Sequence, residues 1–233
     1  MRHKPKSAEP AHTGASGADL QEKCVVILIS GRGSNMEAML QAHLPCRVAA
    51  VISNRANAEG LNIARAHGIP TVVLAHGEYP DRAAFDAALA AEIDRYRPDL
   101  VVLAGFMRIL TPEFVGRFRG RLINIHPSLL PAYSGLDTHQ RALADGVRIH
   151  GCTVHYVTDD LDHGPIIIQA AVSVLKDDTA ATLSARVLAE EHRIFPQAIR
   201  WFCTGRVMLG EDGRVKFSRL EQPAPALISP GLD

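Results

Sequence analysis

The sequence predicts an α/β protein: a doubly wound, mostly parallel sheet with an antiparallel C-terminal extension. Three observations carry the prediction. From Cys24 onward, short apolar runs rich in branched residues alternate with amphipathic stretches, the rhythm of strand, helix, strand. Crossovers between parallel strands are right-handed, so repeating them winds helices onto both faces of one sheet. After residue 126 the rhythm changes to two longer extended runs whose spacer is too short for a crossover helix.

The elements follow in order. The runs CVVILIS (24–30), RVAAVIS (47–53), TVVL (71–74), DLVVLAG (99–105) and RLINIH (121–126) read as strands buried on both faces. Residues 34–42 follow a glycine-rich turn and read as a helix capped by Ser34. Residues 59–67 read as a second helix ending at Gly68, a C-terminal cap. Over 81–96, Phe85, Leu89, Ile93 and Tyr96 recur at helical spacing until Pro98 stops the pattern. A proline-containing loop then leads to a helix at 137–145. IHGCTVHYV (149–157) and PIIIQAAVSV (165–174) flank TDDLDHG and should pair antiparallel. A long helix runs from about Thr179 to Phe202, broken or kinked near Pro196.

At 233 residues and 47% hydrophobic content, the chain can bury one sizeable core, read as a single domain over 23–217. Residues 1–22 are rich in Ala, Gly, Ser and Pro and carry no apolar signal-peptide core, so they read as a disordered leader. Residues 218–233 read as a loose, proline-rich tail. Lys plus Arg and Asp plus Glu are equal at 25 each, which argues against nucleic acid or an anionic membrane as partner. The longest apolar runs are too short to cross a bilayer. Cys24, Cys46, Cys152 and Cys203 form no CxxC pair and read as buried, reduced thiols of a cytoplasmic protein.

The chemistry gathers where strands end. In open sheets of this class ligands bind outside the carboxyl ends of the strands, and Ser30, Gly105 and His126 all lie at such ends. Asn124 and His126 are two apart on one strand, so they share a face just before Pro127 breaks it. A partner for them lies in VTDDLDHGP (157–165), which holds Asp159, Asp160 and Asp162; one buried Asp there would orient the imidazole, while exposed turn aspartates are the plainer reading, above all for Asp160. Amide and imidazole together could donate to an oxygen that becomes negative. The turn SGRGSN puts Gly31 and Gly33 before a helix start, either an anion site or an ordinary strand–helix turn. It lacks the lysine of a phosphate-binding loop, and Met36 breaks the dinucleotide fingerprint. No GxSxG elbow or HExxH occurs; a metal held by His126, His155 and Asp162 is a lesser alternative, and His139, His150, His163 and His192 read as surface or loop residues.

Taken together, ISGRGSN, LAGFMRIL, INIHPSLLPAYSGLDTHQRAL, VHYVTDDLDHGPIIIQ and EEHRIFPQAI resemble the phosphoribosylglycinamide formyltransferase family, folate-dependent enzymes of purine synthesis. The resemblance spans about 24–217. It implies formyl transfer from 10-formyltetrahydrofolate, a cosubstrate, to the amine of glycinamide ribonucleotide, with no metal. It implies Asn124, His126 and Asp162 as the catalytic trio, and Gly33, Ser34, Asn35 and Glu191 for the ribonucleotide and its phosphate. It implies Arg82, Met107, Arg108, Ile109, Leu110 and the loop Thr158, Asp159, Asp160, Leu161 and Asp162, together with Asn124, for the folate. It leaves a homodimer open. The chain departs from the family pattern at Asp137, where relatives carry His, and at His163, where they carry Gly. The rival reading is formyltetrahydrofolate deformylase, which gives the same group to water but is expected to carry an additional N-terminal domain. A tRNA formyltransferase would need a basic RNA-binding domain, and a silent folate or phosphate binder would not need the trio.

Overall fold

Alternation of apolar side chains along the strands winds helices onto both faces of the sheet. Along β1 (Lys23–Ile29), Val25, Ile27 and Ile29 face one core while Val26 and Leu28 face another. The structure, a computed structural model, describes residues 22–218 and 229, so the expected leader (1–22) and tail (218–233) lie almost wholly outside the described residues.

The chain runs from β1 through α1 (Ser34–Gln41), β2 (Cys46–Ser53), α2 (Gly60–Ala66), β3 (Thr71–Val73), α3 (Arg82–Asp94), β4 (Leu100–Leu103) and α4 (Pro112–Arg117) to β5 (Leu122–His126). These five strands are mutually parallel. After α5 (Thr138–Ala144) come β6 (Ile149–Tyr156) and β7 (Ile166–Ser173), both antiparallel to their neighbours, and the long helix α6 (Ala180–Cys203). The sheet order is β3-β2-β1-β4-β5-β6-β7, with the direction of winding reversing between β1 and β4. One core packs Met36, Met39, Leu61, Leu183, Val187 and Phe195 against the sheet; the other packs Phe85, Leu89, Ile93, Phe114 and Phe118 against its opposite face.

Four features differ from the expectations. β3 is an edge strand rather than one buried on both faces, and Val73 is exposed, because only β2 covers it. Gly33, not Ser34, occupies the cap position of α1: its φ of 79° is left-handed, and a Cβ there would lie 2.7 Å from the Gly60 Cα. Ser34 is therefore the first helical residue and makes no cap bond. α6 runs through Pro196 without a break, since burial of Leu183, Val187, Ile194, Phe195 and Ile199 along the same face outweighs one lost backbone bond. Also unforeseen are α4, started by the Thr111 side chain and Pro112, and a hairpin of β8 (Val207–Leu209) and β9 (Val215–Phe217).

The β6–β7 pairing leaves no room at Gly151, where an added Cβ would collide with the Ala170 carbonyl oxygen. Gly151→Ala is expected to destabilise the protein by about 3 kcal/mol or more in urea denaturation, because rigid backbone must move. An unchanged midpoint would contradict the register described.

Candidate active site

Ser30, immediately after β1, ties together the loops at the carboxyl edge of the sheet. Its backbone N–H donates to the Gly105 carbonyl (3.2 Å), and its hydroxyl accepts from Met107 N (2.8 Å) and donates to Asn54 Oδ1 (2.6 Å). This anchors the Met107–Leu110 segment at the point where the winding reverses, the usual ligand crevice of such sheets. Met107 and Ile109 are more than half exposed there, Leu110 packs on the second core, and the Arg108 guanidinium lies 5.4 Å over the Phe85 ring. Asp86 accepts from Thr111 N at 2.6 Å; burial pushes its carboxyl up, and the Thr111 bond with the nearby Arg108 and Arg82 charges draws it down. Arg82 itself is exposed at the first turn of α3.

The structure brings Asn124, His126 and Asp162 to one place. β5 pairs with β6 so that Asn124 faces His155 and His126 faces Thr153. His126 Nε2 donates to the Tyr133 carbonyl (2.9 Å), and its Nδ1 lies 3.4 Å from Asp162 Oδ2. Both side chains are buried. Asp162 reaches inward from a left-handed backbone (φ 55°) and also accepts from Gly135 N at 2.8 Å. The ring is thus oriented first by Tyr133, and Asp162 stands at ion-pair distance rather than in a short hydrogen bond. Asn124 Nδ2 lies 3.2 Å from His155 Nε2, which leaves its second amide hydrogen uncommitted.

At the start of α1, Asn35 Nδ2 donates to Glu191 Oε2 at 2.7 Å, while Asn35 Oδ1 is buried without a partner. Burial raises the Glu191 carboxyl above its ordinary value, and the Asn35 amide draws it back. The free Ser34 hydroxyl, the backbone N–H groups of the first turn and the glycine contact to Gly60 make an open helix start beside this pair.

The loop Thr158–Asp162 closes over β6: Thr158 Oγ1 donates to the Asp160 carbonyl at 3.3 Å, Asp159, Asp160 and Leu161 are exposed, and only Asp162 turns in. Exposed His163 turns its Nδ1 back to the Leu161 carbonyl at 2.7 Å, and Asp137 holds the left-handed position (φ 56°) that starts α5. The reading of His150 as a surface or loop residue is wrong. It is buried on β6, 3.2 Å from His139 Nδ1, and burial holds its ring down to about 4; His139, half-buried on α5, and His192, half-buried on α6, are lowered for the same reason. Among the described residues no group of three or more His, Cys, Asp and Glu is placed to hold a metal, and His155 uses both ring nitrogens elsewhere. No described helix is long and apolar enough to cross a membrane. Cys24 and Cys152 are buried, whereas Cys46 and Cys203 are only half-buried; all four are free thiols.

Sequence reasoning missed the groups that aim the trio. Tyr133 and Gly135 contribute backbone atoms, which no residue pattern reveals. Thr153 donates to the Ser128 carbonyl (2.6 Å) and accepts from Leu130 N (3.1 Å) and Gln169 Nε2 (2.9 Å), holding the loop after β5. A lone Gln inside IIIQAAVSV was the visible signal.

Such a sheet, presenting amide, imidazole and carboxylate together at its carboxyl edge with no Ser or Cys nucleophile among them, has the frame of an enzyme for carbonyl-group transfer. The chain belongs to the formyl transferase family, whose profile matches residues 23–199. It is 50% identical over 192 residues to phosphoribosylglycinamide formyltransferase of Escherichia coli, covering 81% of this chain and 91% of that one. It is 46% identical over 195 residues to the human trifunctional purine biosynthetic protein adenosine-3, covering 82% of this chain and 19% of that one. Among solved structures, phosphoribosylglycinamide formyltransferase of Coxiella burnetii superposes with a TM-score of 0.81 at 49% identity, over 84% of this chain and 94% of that one. A formyltetrahydrofolate deformylase of Pseudomonas syringae gives 0.78 at 30% identity, over 84% of this chain and 66% of that one.

The depressed His150 ring sets an acid limit. An unfolded His titrates near 6.5 and the folded one near 4, so the unfolded chain takes up the proton first as pH falls. Stability from this group is complete above pH 6.5 and is lost down to about pH 4, by about 3 kcal/mol. Denaturation midpoints across that range should fall less steeply in His150→Gln; an unchanged slope would contradict the burial cause.

Proposed function

We propose that the protein transfers the formyl group of 10-formyltetrahydrofolate to the amine of phosphoribosylglycinamide in purine synthesis. The observation that carries this reading is that Asn124, His126 and Asp162 converge in a chain half identical to the Escherichia coli enzyme of that name. The amine attacks the formyl carbon while both substrates are held together, and much of the acceleration comes from that positioning. As the C–N bond forms, the carbonyl pair moves onto oxygen, where the free Asn124 N–H donates to it, joined by the His126 Nδ1–H, which at 3.4 Å from Asp162 is not held in a short hydrogen bond. Collapse expels the folate nitrogen. The proton leaving the amine ends on that nitrogen, with Asp162 as the carboxylate that handles it.

Substrate placement follows from the same edge of the sheet. The α1 start at Gly33, Ser34 and Asn35 takes the phosphate, and Glu191 with the unpartnered Asn35 Oδ1 takes the sugar or amide end of the ribonucleotide. Met107, Arg108, Ile109, Leu110 and the Thr158–Asp162 loop take the folate, with Arg82 at the rim. The exposed Met107, Ile109 and Leu161 gain cover when the pterin lies between them.

Formyl release from 10-formyltetrahydrofolate, followed by absorbance with and without phosphoribosylglycinamide, separates the readings. Turnover only with the ribonucleotide is expected; equal turnover without it would make the protein a deformylase, and none in either case a binder. Asn124→Ala and His126→Ala should each lower kcat by roughly 10²–10³ with small changes in KM. Near-normal kcat in folded His126→Ala would reject its assignment.

A further inference from the structure

We infer that His155 is a positioning residue of the transfer step: held neutral and protonated at Nδ1, it turns the Asn124 amide so that nitrogen, not oxygen, faces the reacting carbonyl. The inference rests on the reading of Asn124 as oxyanion donor.

The tautomer follows from the partners. His155 is buried, beyond the reach of bulk water, one residue before the end of β6. Its Nδ1 lies 2.9 Å from the Tyr156 carbonyl oxygen, which can only accept, so Nδ1 carries the hydrogen. Its Nε2 lies 3.2 Å from Asn124 Nδ2. Two hydrogen-bearing nitrogens cannot bond each other, so Nε2 is bare and accepts from the amide. The two ends of an Asn amide have nearly the same shape, and packing alone does not decide which way it points. Here the choice is chemical. One amide hydrogen goes to His155, the carbonyl oxygen is turned away, and the other hydrogen stays available to substrate. With the amide reversed, an oxygen lone pair would meet the oxygen that becomes negative, and the donor would become a repulsive group.

The ring is also fixed in place. Gly164 sits directly against it: a Cβ there would lie 3.3 Å from His155 Nδ1 and would collide with the Tyr156 carbonyl. The backbone two residues beyond Asp162 therefore closes on the ring that sets Asn124, so donor and carboxylate are referenced to one buried imidazole. Burial lowers the basicity of His155, against the upward pull of the Tyr156 carbonyl and of Asp162. The amide-facing nitrogen thus stays unprotonated where neutral substrates react.

The test is a cycle of Asn124→Ala, His155→Phe and the double variant, with His155→Gln as rescue. Phe keeps a ring without an acceptor; Gln restores an acceptor near the Nε2 position. His155→Phe should lower kcat about tenfold or more, but no more than the roughly 10²–10³ of losing the donor itself, with KM for both substrates nearly unchanged. His155→Gln should recover most of that loss. In the Asn124→Ala background, His155→Phe should cost less than about twofold, because its effect passes through the amide. Full additivity of the two losses, or normal kcat in folded His155→Phe, would overturn the inference while leaving Asn124 in its role. Normal kcat in Asn124→Ala would instead remove the reading beneath it. Should His155→Phe fail to fold, long-range ¹H–¹⁵N spectra of the wild-type ring decide: the Nδ1–H form is expected, and an Nε2–H form would overturn the inference.

Discussion

The antiparallel pairing of β5 with β6 is the constraint on which the site depends. A strand's side chains alternate, so register decides which residues share a face and which stand opposite each other. In the register observed, Asn124 meets His155, and His126 meets Thr153. A slip of one residue would send the amide and imidazole to the other face and separate both from Asp162. The parallel half of the sheet supplies a rigid floor and the Ser30 junction. The antiparallel extension supplies the partners that give the two polar residues a direction.

Burying polar groups costs free energy unless each finds a partner, and here the partners are mostly main chain. His126 is held by the Tyr133 carbonyl, Asp162 by the Gly135 N–H, and His155 by the Tyr156 carbonyl. Main-chain partners move only if the fold moves, so the site is preorganised rather than assembled by flexible side chains. Asn35 Oδ1, buried without a protein partner, and the second Asn124 hydrogen stand where substrates are proposed to bind.

Much of this was legible in the sequence, and the rest was hidden for physical reasons. Long periodic segments such as 81–96 and 165–174 declared their type, because burial imposes a period on apolar residues. The pairing of Asn124 with His126 could be seen from spacing alone. Which aspartate turns inward could not: Asp159, Asp160 and Asp162 differ only in backbone geometry, and the left-handed turn at Asp162 selects it. His150 was misread because a histidine in a strand carries no mark of which face it takes, and its burial depends on α5 folding over it. The cap of α1 was misassigned because the close approach of Gly33 to Gly60 joins segments distant in sequence. The six-residue α4 and the three-residue strands β8 and β9 are too short to show periodicity, although Thr111-Pro112 was a readable helix start.

The most direct measurement is a crystal structure with a bisubstrate analogue in which a tetrahedral, hydroxyl-bearing carbon joins the glycinamide amine to the folate nitrogen. Such a mimic binds because it resembles the transition state. Its hydroxyl oxygen should lie about 2.7–3.1 Å from Asn124 Nδ2, with the His126 ring and the Asp162 carboxylate on the same side of the carbon. An oxygen turned away from both Asn124 and His126, with the phosphate seated elsewhere than the start of α1, would contradict the assignment of this edge of the sheet as the place where the formyl group moves.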